Sequence, residues 1–153
     1  MRPGDLLALR PRQTQPNMTD TLRLEIVTPE AAVYSEDVEM VTLPSVEGQL
    51  GILPGHVGLM TQLVPGEIIV RRGGHDEFLA VGEGLVEVTG KRVAILTDMA
   101  IAADKIDEAK IEEARQRAEA RLREKISAEE VASVNASLAR SLAQLHVKRR
   151  RKV

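Results

Sequence analysis

The chain has 153 residues, of which 43% are hydrophobic and 29% charged, with a formal net charge of −2. It contains one Tyr, one Phe, no Trp and no Cys. That composition excludes disulfide scaffolds, thiolate metal sites and cysteine nucleophiles, and it removes the aromatic platform on which single-stranded nucleic acids stack. The length fits one compact domain, or one domain with an appendage. Its core must be built from Val, Ile, Leu, Met and Ala. The net charge hides an asymmetry: residues 1–17 sum to +2, residues 18–103 to −8 and residues 104–153 to +4. Such a shift marks a change of architecture along the chain.

Residues 1–19 carry Pro3, Pro11 and Pro16 among Arg and Gln. They read as a disordered leader, or as an upstream start ahead of Met18. The longest apolar stretch there is Leu6-Leu7-Ala8-Leu9, short of the roughly 7–15 residues of a secretory core segment. An organellar transit peptide is disfavoured by Asp5 and by the lack of an amphipathic period. No run in the chain approaches the roughly 18–20 apolar residues that cross a bilayer.

From residue 22 the pattern is strand-like. Leu22, Leu24 and Ile26 alternate with Arg23 and Glu25, a period of about two residues. Further strands are expected over residues 38–43, 68–70, 77–81, 85–89 and 92–97. Pro65-Gly66, Gly73-Gly74, Gly82-Glu83-Gly84 and Gly90-Lys91 supply the turns between them. Short strands at about 8–12-residue spacing predict an antiparallel sandwich or barrel. The longest gap, Pro44 to Glu67, is broken repeatedly by Gly and Pro and has no room for a crossover helix, which disfavours a parallel α/β sheet.

At Asp104 the period changes to that of a helix. Asp104 is the expected N-cap, with Glu108 in the first turn, where the helix dipole favours negative charge. The stretch to about Ile126 has neither Gly nor Pro and carries a narrow stripe of Ile111, Ala114, Ala118 and Leu122. Glu113–Arg117 and Glu119–Arg123 are expected as i,i+4 pairs. Ser127 offers a second cap with Glu130 in the reciprocal position, followed by the stripe Val131, Val134, Leu138, Leu142 and Leu145. The expected organisation is therefore a sandwich over residues 20–102 and an antiparallel helical hairpin with a basic tail over 104–150. A stripe half made of Ala buries little area, so the hairpin should be marginal alone and should lean on the sandwich or on a partner. That motivates the hypothesis that it detaches and adopts a second arrangement.

Chemical motifs are sparse. The Gly-rich block 48–56 lacks the Gly-Lys-Ser/Thr ending and the following helix of a Walker loop. Gly82-Glu83-Gly84 lacks the third Gly of a dinucleotide fingerprint and reads as a tight turn. His56, His75 and His146 lie in separate segments with no helical metal-binding pair. No nucleophile, base or carboxylate constellation stands out, so no catalytic residue and no cofactor is expected. The tail Lys148-Arg149-Arg150-Arg151-Lys152 fits a helix C-terminus, docking on an acidic protein surface, or binding to nucleic acid or anionic lipid.

The residues Leu24-Glu25-Ile26-Val27-Thr28-Pro29-Glu30, Gly48-Gln49-Leu50-Gly51-Ile52-Leu53-Pro54-Gly55-His56, Leu59-Met60-Thr61 and Pro65-Gly66 closely resemble the epsilon-subunit family of F-type ATP synthases. Gly82 to Val88 and Leu145-His146-Val147 fit the same family, and the resemblance covers about residues 20–150. It implies a flattened sandwich of about ten strands followed by the hairpin. It implies a non-catalytic rotor subunit that joins the gamma subunit to the membrane c-ring and turns with them. Carried over position by position, the gamma-facing surface includes Thr28, His56 and Thr61. The ring-facing loop includes Glu47, Gly48 and Gln49. Many relatives have an acidic residue where Gln49 stands, so a neutral hydrogen bond to the ring is expected here in place of a salt bridge.

The resemblance further implies two hairpin states: folded on the sandwich, or extended along gamma to the alpha and beta subunits, where it inhibits ATP hydrolysis. Tail residues Lys148 to Lys152 would dock on the catalytic head. Some relatives bind ATP on the folded hairpin through Ile-Asp-x-x-Arg-Ala. Here the stretch is Ile106-Asp107-Glu108-Ala109-Lys110-Ile111. Lys110 lacks the planar fork of Arg and Ile111 replaces Ala, so Asp107 and Lys110 are a weakened nucleotide motif. The implied location is peripheral, at the cytoplasmic face of the bacterial inner membrane through the complex, with no nucleic acid bound. The alternative is a nucleic-acid-binding sandwich that uses the basic tail. The acidic sandwich and the missing aromatics disfavour it.

Overall fold

The computed structural model describes residues 20–150. Ten strands come first: β1 (Leu22–Val27), β2 (Ala32–Val38), β3 (Met40–Ser45), β4 (Gly48–Ile52), β5 (Leu59–Leu63), β6 (Gly66–Arg72), β7 (His75–Val81), β8 (Gly84–Thr89), β9 (Arg92–Thr97) and β10 (Ala100–Ala102). A 3-10 turn over Ala103–Lys105 then leads to helices α1 (Glu108–Leu122) and α2 (Ala128–Arg150). The strands hydrogen-bond in the order β10-β7-β6-β3-β5-β8-β9-β1-β2, with β4 paired to β3.

Strand alternation explains the core. Leu22, Leu24 and Ile26 point inward from β1, Val86 and Val88 from β8, and Val93 and Ile95 from β9. The core has sixteen buried residues, all Leu, Ile or Val, so the fold closes without an interior aromatic ring. One pair departs from the expected antiparallel pattern: β1 and β9 run parallel, from Arg23 opposite Arg92 to Val27 opposite Leu96. Parallel neighbours need a long crossover, and the intervening strands β2 to β8 provide it.

The expected strand over 38–43 is two strands. Val38 ends β2, Met40 starts β3, and the Glu39 amide donates to the Arg71 carbonyl at 2.8 Å where the chain passes between layers. The alternation rule missed β2 because its side chains are mostly exposed, so nothing forces an apolar period on an edge strand. It missed β4 and β5 inside the Gly- and Pro-broken gap, and β10 because it has only three residues.

Both aromatic side chains lie at the seam between the edges of the sheet. The Tyr34 hydroxyl on β2 donates to Glu77 Oε2 on β7 at 3.0 Å. Burial first, and the bond to Glu77 second, push the phenol's pKa above its usual range. Arg72 spans the same seam, 3.2 Å from Glu36 and 2.8 Å from Glu77. A cleft of about 530 Å³ continues along it, lined by Val33, Tyr34, Phe78, Ala100 and Ala103 among others.

The helix start differs from the expected one. Asp107, not Asp104, is the N-cap of α1, and its side chain accepts from the Lys110 amide at 3.3 Å. The reason is Ile106, which is buried in a small second core with Ala80 and Val147. Inserting that side chain holds the backbone extended at Ile106 and delays the helix. The turn at Ser127 forms half of the expected capping box. Ser127 Oγ accepts from the Glu130 amide at 3.2 Å, while the Glu130 carboxylate pairs with Arg121 at 2.6 Å. The charges on α1 pair as Arg115 with Glu112 and Glu119, not as Glu113–Arg117 and Glu119–Arg123. Arg115 lies on the half-buried side facing α2, whereas Glu113 and Arg117 are exposed; reduced solvation favours the former pairing.

Candidate functional site

The sandwich presents one outward face with large apolar side chains. Leu85 and Leu96 stand directly opposite each other on β8 and β9, at 49% and 57% exposure. Met60 on β5 is 70% exposed, and Val57 in the preceding loop 80%. Met60 is opposite Glu87, which places Leu85 diagonally beside it, within side-chain reach across strands. Contiguous apolar groups of this kind on a sandwich mark a contact surface. The sequence signal for them was adjacency: in Leu85-Val86 and Ile95-Leu96 both faces of the strand are apolar, so one of each pair must point away from the core.

The three residues expected on the gamma-facing surface are placed differently with respect to this face. Thr28 follows β1 and lines an open cleft with Leu85 and Leu96; it is nearly buried, and its hydroxyl donates to the Ala31 carbonyl at 3.3 Å. His56 lies at the other end of the same strands, in the loop where the Gly55 amide bonds the Gly90 carbonyl at 3.1 Å. Its Nδ1 is 2.7 Å from the Val57 carbonyl oxygen. Thr61 is half-buried in the inward set of β5 with Leu59 and Leu63, opposite Val86. The apolar face lies between Thr28 and the His56 loop.

Glu47, Gly48 and Gln49 form the exposed tip of the β3–β4 hairpin. Ser45 ties the turn: its Oγ donates to the Gly48 carbonyl at 2.6 Å and accepts from the Glu47 amide at 3.2 Å. Gly48 has φ +114, a conformation side-chain-bearing residues rarely adopt. The tip is fastened to β5 through the Val46 amide and the Gln62 carbonyl, 3.2 Å apart. Gly84 is also required, for a different reason: a Cβ there would lie 1.8 Å from the Leu96 carbonyl oxygen. The Gly82-Glu83-Gly84 segment is thus a close-approach turn between strands.

The tail cations are engaged within the chain. Lys148 Nζ donates to the Ala103 carbonyl at 3.2 Å, Arg149 pairs with Glu108 and Glu112 at 2.9 and 3.0 Å, and Arg150 pairs with Glu67 at 3.2 Å. Arg151 and Lys152 lie outside the described residues. Hydrogen bonding from Arg115, then from Arg149, holds the Glu112 carboxyl below its usual range. The cleft beside Asp107 is lined by Ile106, Glu108, Glu112, Lys148 and Arg149, so an anion entering it meets three carboxylates together with the two cations. Lys110 is exposed on the helix and its amide completes the Asp107 cap. Among the described residues no group of three or more His, Asp or Glu is placed to hold a metal ion, and no helix is long and apolar enough to cross a membrane.

The matches to known proteins agree with this architecture. The family model for the ATP synthase delta/epsilon chain beta-sandwich domain matches residues 21–103, and that for its long alpha-helix domain matches residues 104–149. The chain belongs to the ATP synthase delta/epsilon chain family. It is similar to the ATP synthase epsilon chain of Herpetosiphon aurantiacus, 44% identical over 131 residues covering 86% of this chain and 96% of that one. The epsilon chain of Herminiimonas arsenicoxydans is 42% identical over 130 residues, covering 84% and 93%. The fold is shared with a chain of the cryo-EM structure of the Euglena gracilis mitochondrial ATP synthase, OSCP/F1/c-ring in rotational state 1. That match has a TM-score of 0.69 at 23% identity, covering 95% of this chain and 93% of that one. A chain of the Tetrahymena thermophila mitochondrial ATP synthase central stalk/c-ring matches with a TM-score of 0.55 at 12% identity, covering 86% and 99%.

The chain is thus a delta/epsilon chain family member whose similarity to ATP synthase epsilon chains spans both of its domains. The fold presents three contact surfaces. Those surfaces are the apolar face, the β3–β4 tip and the basic arm.

Proposed function

We propose that the chain couples c-ring rotation to ATP synthesis by binding the gamma subunit through the outward apolar face, and that its hairpin regulates ATP hydrolysis. The observation that carries the first part is the exposed set Met60, Leu85 and Leu96 on rigid strands, bordered by Thr28 and by the His56 loop. Thr61 supports this surface from the inner side of β5. The β3–β4 tip, with Gln49 as a neutral hydrogen-bonding group, is the part offered to the polar loops of the ring. A location at the cytoplasmic face of the bacterial inner membrane, through the complex alone, accompanies this reading.

The folded hairpin packs on the sandwich through a small patch, which supports an arm able to leave it. In the extended state Lys148, Arg149 and Arg150 would meet the alpha and beta subunits. Nucleotide binding at Asp107 and Lys110 has less support, because Asp107 is committed to the cap and the adjoining cleft is carboxylate-lined. Nucleic-acid binding by the tail has no observation that favours it, since its described cations already have partners.

The decisive experiment is reconstitution with gamma. The wild-type chain should form a stable complex at micromolar concentration. The double variant Leu85→Asp, Leu96→Asp should fold and lose that complex, because two solvated carboxylates oppose burial of the face. Binding that survives both substitutions overturns the assignment of this face. Removing residues 104–153 should leave assembly intact and raise hydrolysis by the reconstituted head; unchanged hydrolysis refutes the regulatory part.

A further inference from the structure

The charge asymmetry of the chain has a structural counterpart. The acidic sandwich and the basic arm meet at two carboxylates of the sandwich, Glu67 and Asp98. Glu67 lies on β6 with only 8% of the residue exposed, and its Oε1 is 3.2 Å from Arg150 Nη1 on α2. Asp98, between β9 and β10, is 3.1 Å from Arg140 on the same helix. Ten residues separate the two arginines in sequence, about 15 Å along a helix.

The spacing 140, 143, 147, 150 defines one helical face. Between the two arginines that face carries Ala143 and Val147, both buried, with Val147 packed against Ala80 and Ile106. An alanine and a valine remove little apolar area from water. They do not by themselves fix where the helix lies along the sheet. The flanking ion pairs add two fixed points, beside the Lys148 bond to the Ala103 carbonyl, because each joins a fixed strand or turn to a fixed helix position. Glu67 adds a one-sided penalty: withdrawing Arg150 leaves a nearly buried carboxylate less compensated.

We propose that Glu67 and Asp98 are receptor carboxylates for Arg150 and Arg140 that latch α2 on the sandwich, competing with acidic partner surfaces for the arm's cations. The inference rests on the reading that the arm moves, and it names the groups on the sandwich that set the balance. In this scheme Arg150 serves one receptor at a time. A partner that extends the arm must supply an anion to replace Glu67, and raised salt loosens the latch.

The absence of Cys from the chain permits a clean test on the isolated full-length protein. A thiol placed by Ala143→Cys is covered while α2 is docked, so its rate of alkylation under native conditions reports the undocked fraction. In that background Glu67→Gln and Arg150→Gln should each raise the rate about fivefold, the change expected from losing roughly 1 kcal/mol. The two together should do less than the sum of the single effects, because they break the same pair. The charge swap Glu67→Arg with Arg150→Glu should recover part of the protection. If Glu67→Gln unfolds the sandwich, Arg150→Gln and the salt dependence decide alone.

Rates within about twofold of the parent, about 0.4 kcal/mol, for Arg150→Gln and for raised salt overturn the latch. Additive effects of Glu67→Gln and Arg150→Gln overturn the pairing. In the reconstituted head Glu67→Gln, which frees Arg150 without removing it, should strengthen inhibition of hydrolysis, whereas Arg150→Gln removes the cation from both receptors and should not. Altered alkylation with unchanged hydrolysis would keep the latch and refute the regulatory role of the arm, so the two failures are distinguishable.

Discussion

The sandwich and the hairpin are folded by different balances of force. The sandwich closes sixteen Leu, Ile and Val side chains into one interior. Helix α1 has no buried residue at all, and α2 has four, Ser141, Ala143, Leu145 and Val147. The hairpin is instead laced by charge: Arg115 with Glu112 and Glu119, Arg121 with Glu124 and Glu130, and Arg149 with Glu108 and Glu112. Exposed pairs are worth little each, whereas buried aliphatic groups are costly to remove. A rigid platform and a loosely held arm follow from that difference.

The largest expected effect tests the contrast directly. Leu24→Ala, at a site with no exposure, should destabilise the sandwich by about 3 kcal/mol in denaturant unfolding. Leu138→Ala, at a half-buried position between the helices, should cost about 1 kcal/mol and leave the sandwich transition in place. Equal costs would erase the distinction between the two regions.

A smaller effect sharpens it from the helical side. Ser127→Ala removes the acceptor for the Glu130 amide and should lower hairpin stability by about 1 kcal/mol. Thermal loss of helicity should move down while the sandwich signal stays. A common shift of both transitions would show that the two regions unfold as one unit.

The smallest effect is the response to acid. Glu112 titrates below its ordinary value of 4.5 because Arg115, then Arg149, bind its charged form. The stabilisation is therefore complete above the unfolded value and is lost as pH falls through the folded one. Helicity should decline below about pH 4 and before the sandwich opens, followed by far-ultraviolet circular dichroism. Glu112→Gln should flatten this part of the profile; an unchanged profile would assign the acid response to other carboxylates.

Much of the sandwich was legible because alternation is a direct consequence of one-sided burial. Leu22-Arg23-Leu24-Glu25-Ile26 shows it plainly, and β8 and β9 follow the same logic, whereas Leu79-Ala80-Val81 of β7 is buried on both faces. Edge strands escape it: β2 is mostly exposed, so its sequence carries no inward set. The two helices and the Ser127 cap were readable from stripe and cap residues. The start of α1 was misplaced, since the pull of the second core on Ile106 is a tertiary effect.

The functional surfaces divide the same way. The 48–56 block marked the β3–β4 tip, because a tight turn restricts its residues locally: Gly48 and Ser45 are fixed by backbone conformation and short-range hydrogen bonds. Met60, Leu85 and Leu96 were visible only as excess hydrophobicity, and their common face required strand register. Glu67, Asp98, Arg140 and Arg150 carried no pattern linking them, being 42 and 83 residues apart in their pairs.

By itself the sequence determined an aliphatic, cysteine-free sandwich followed by a charged hairpin, and an acidic region followed by a basic one. Periodicity, capping and composition are local or additive properties, so a linear string contains them. Only the tertiary structure decided that β1 lies parallel to β9, that Ile106 delays the helix, and that the basic arm returns to two particular carboxylates. Those outcomes depend on which distant groups share a low-dielectric contact, and that is settled by the closing of the sandwich and the seating of α2 upon it.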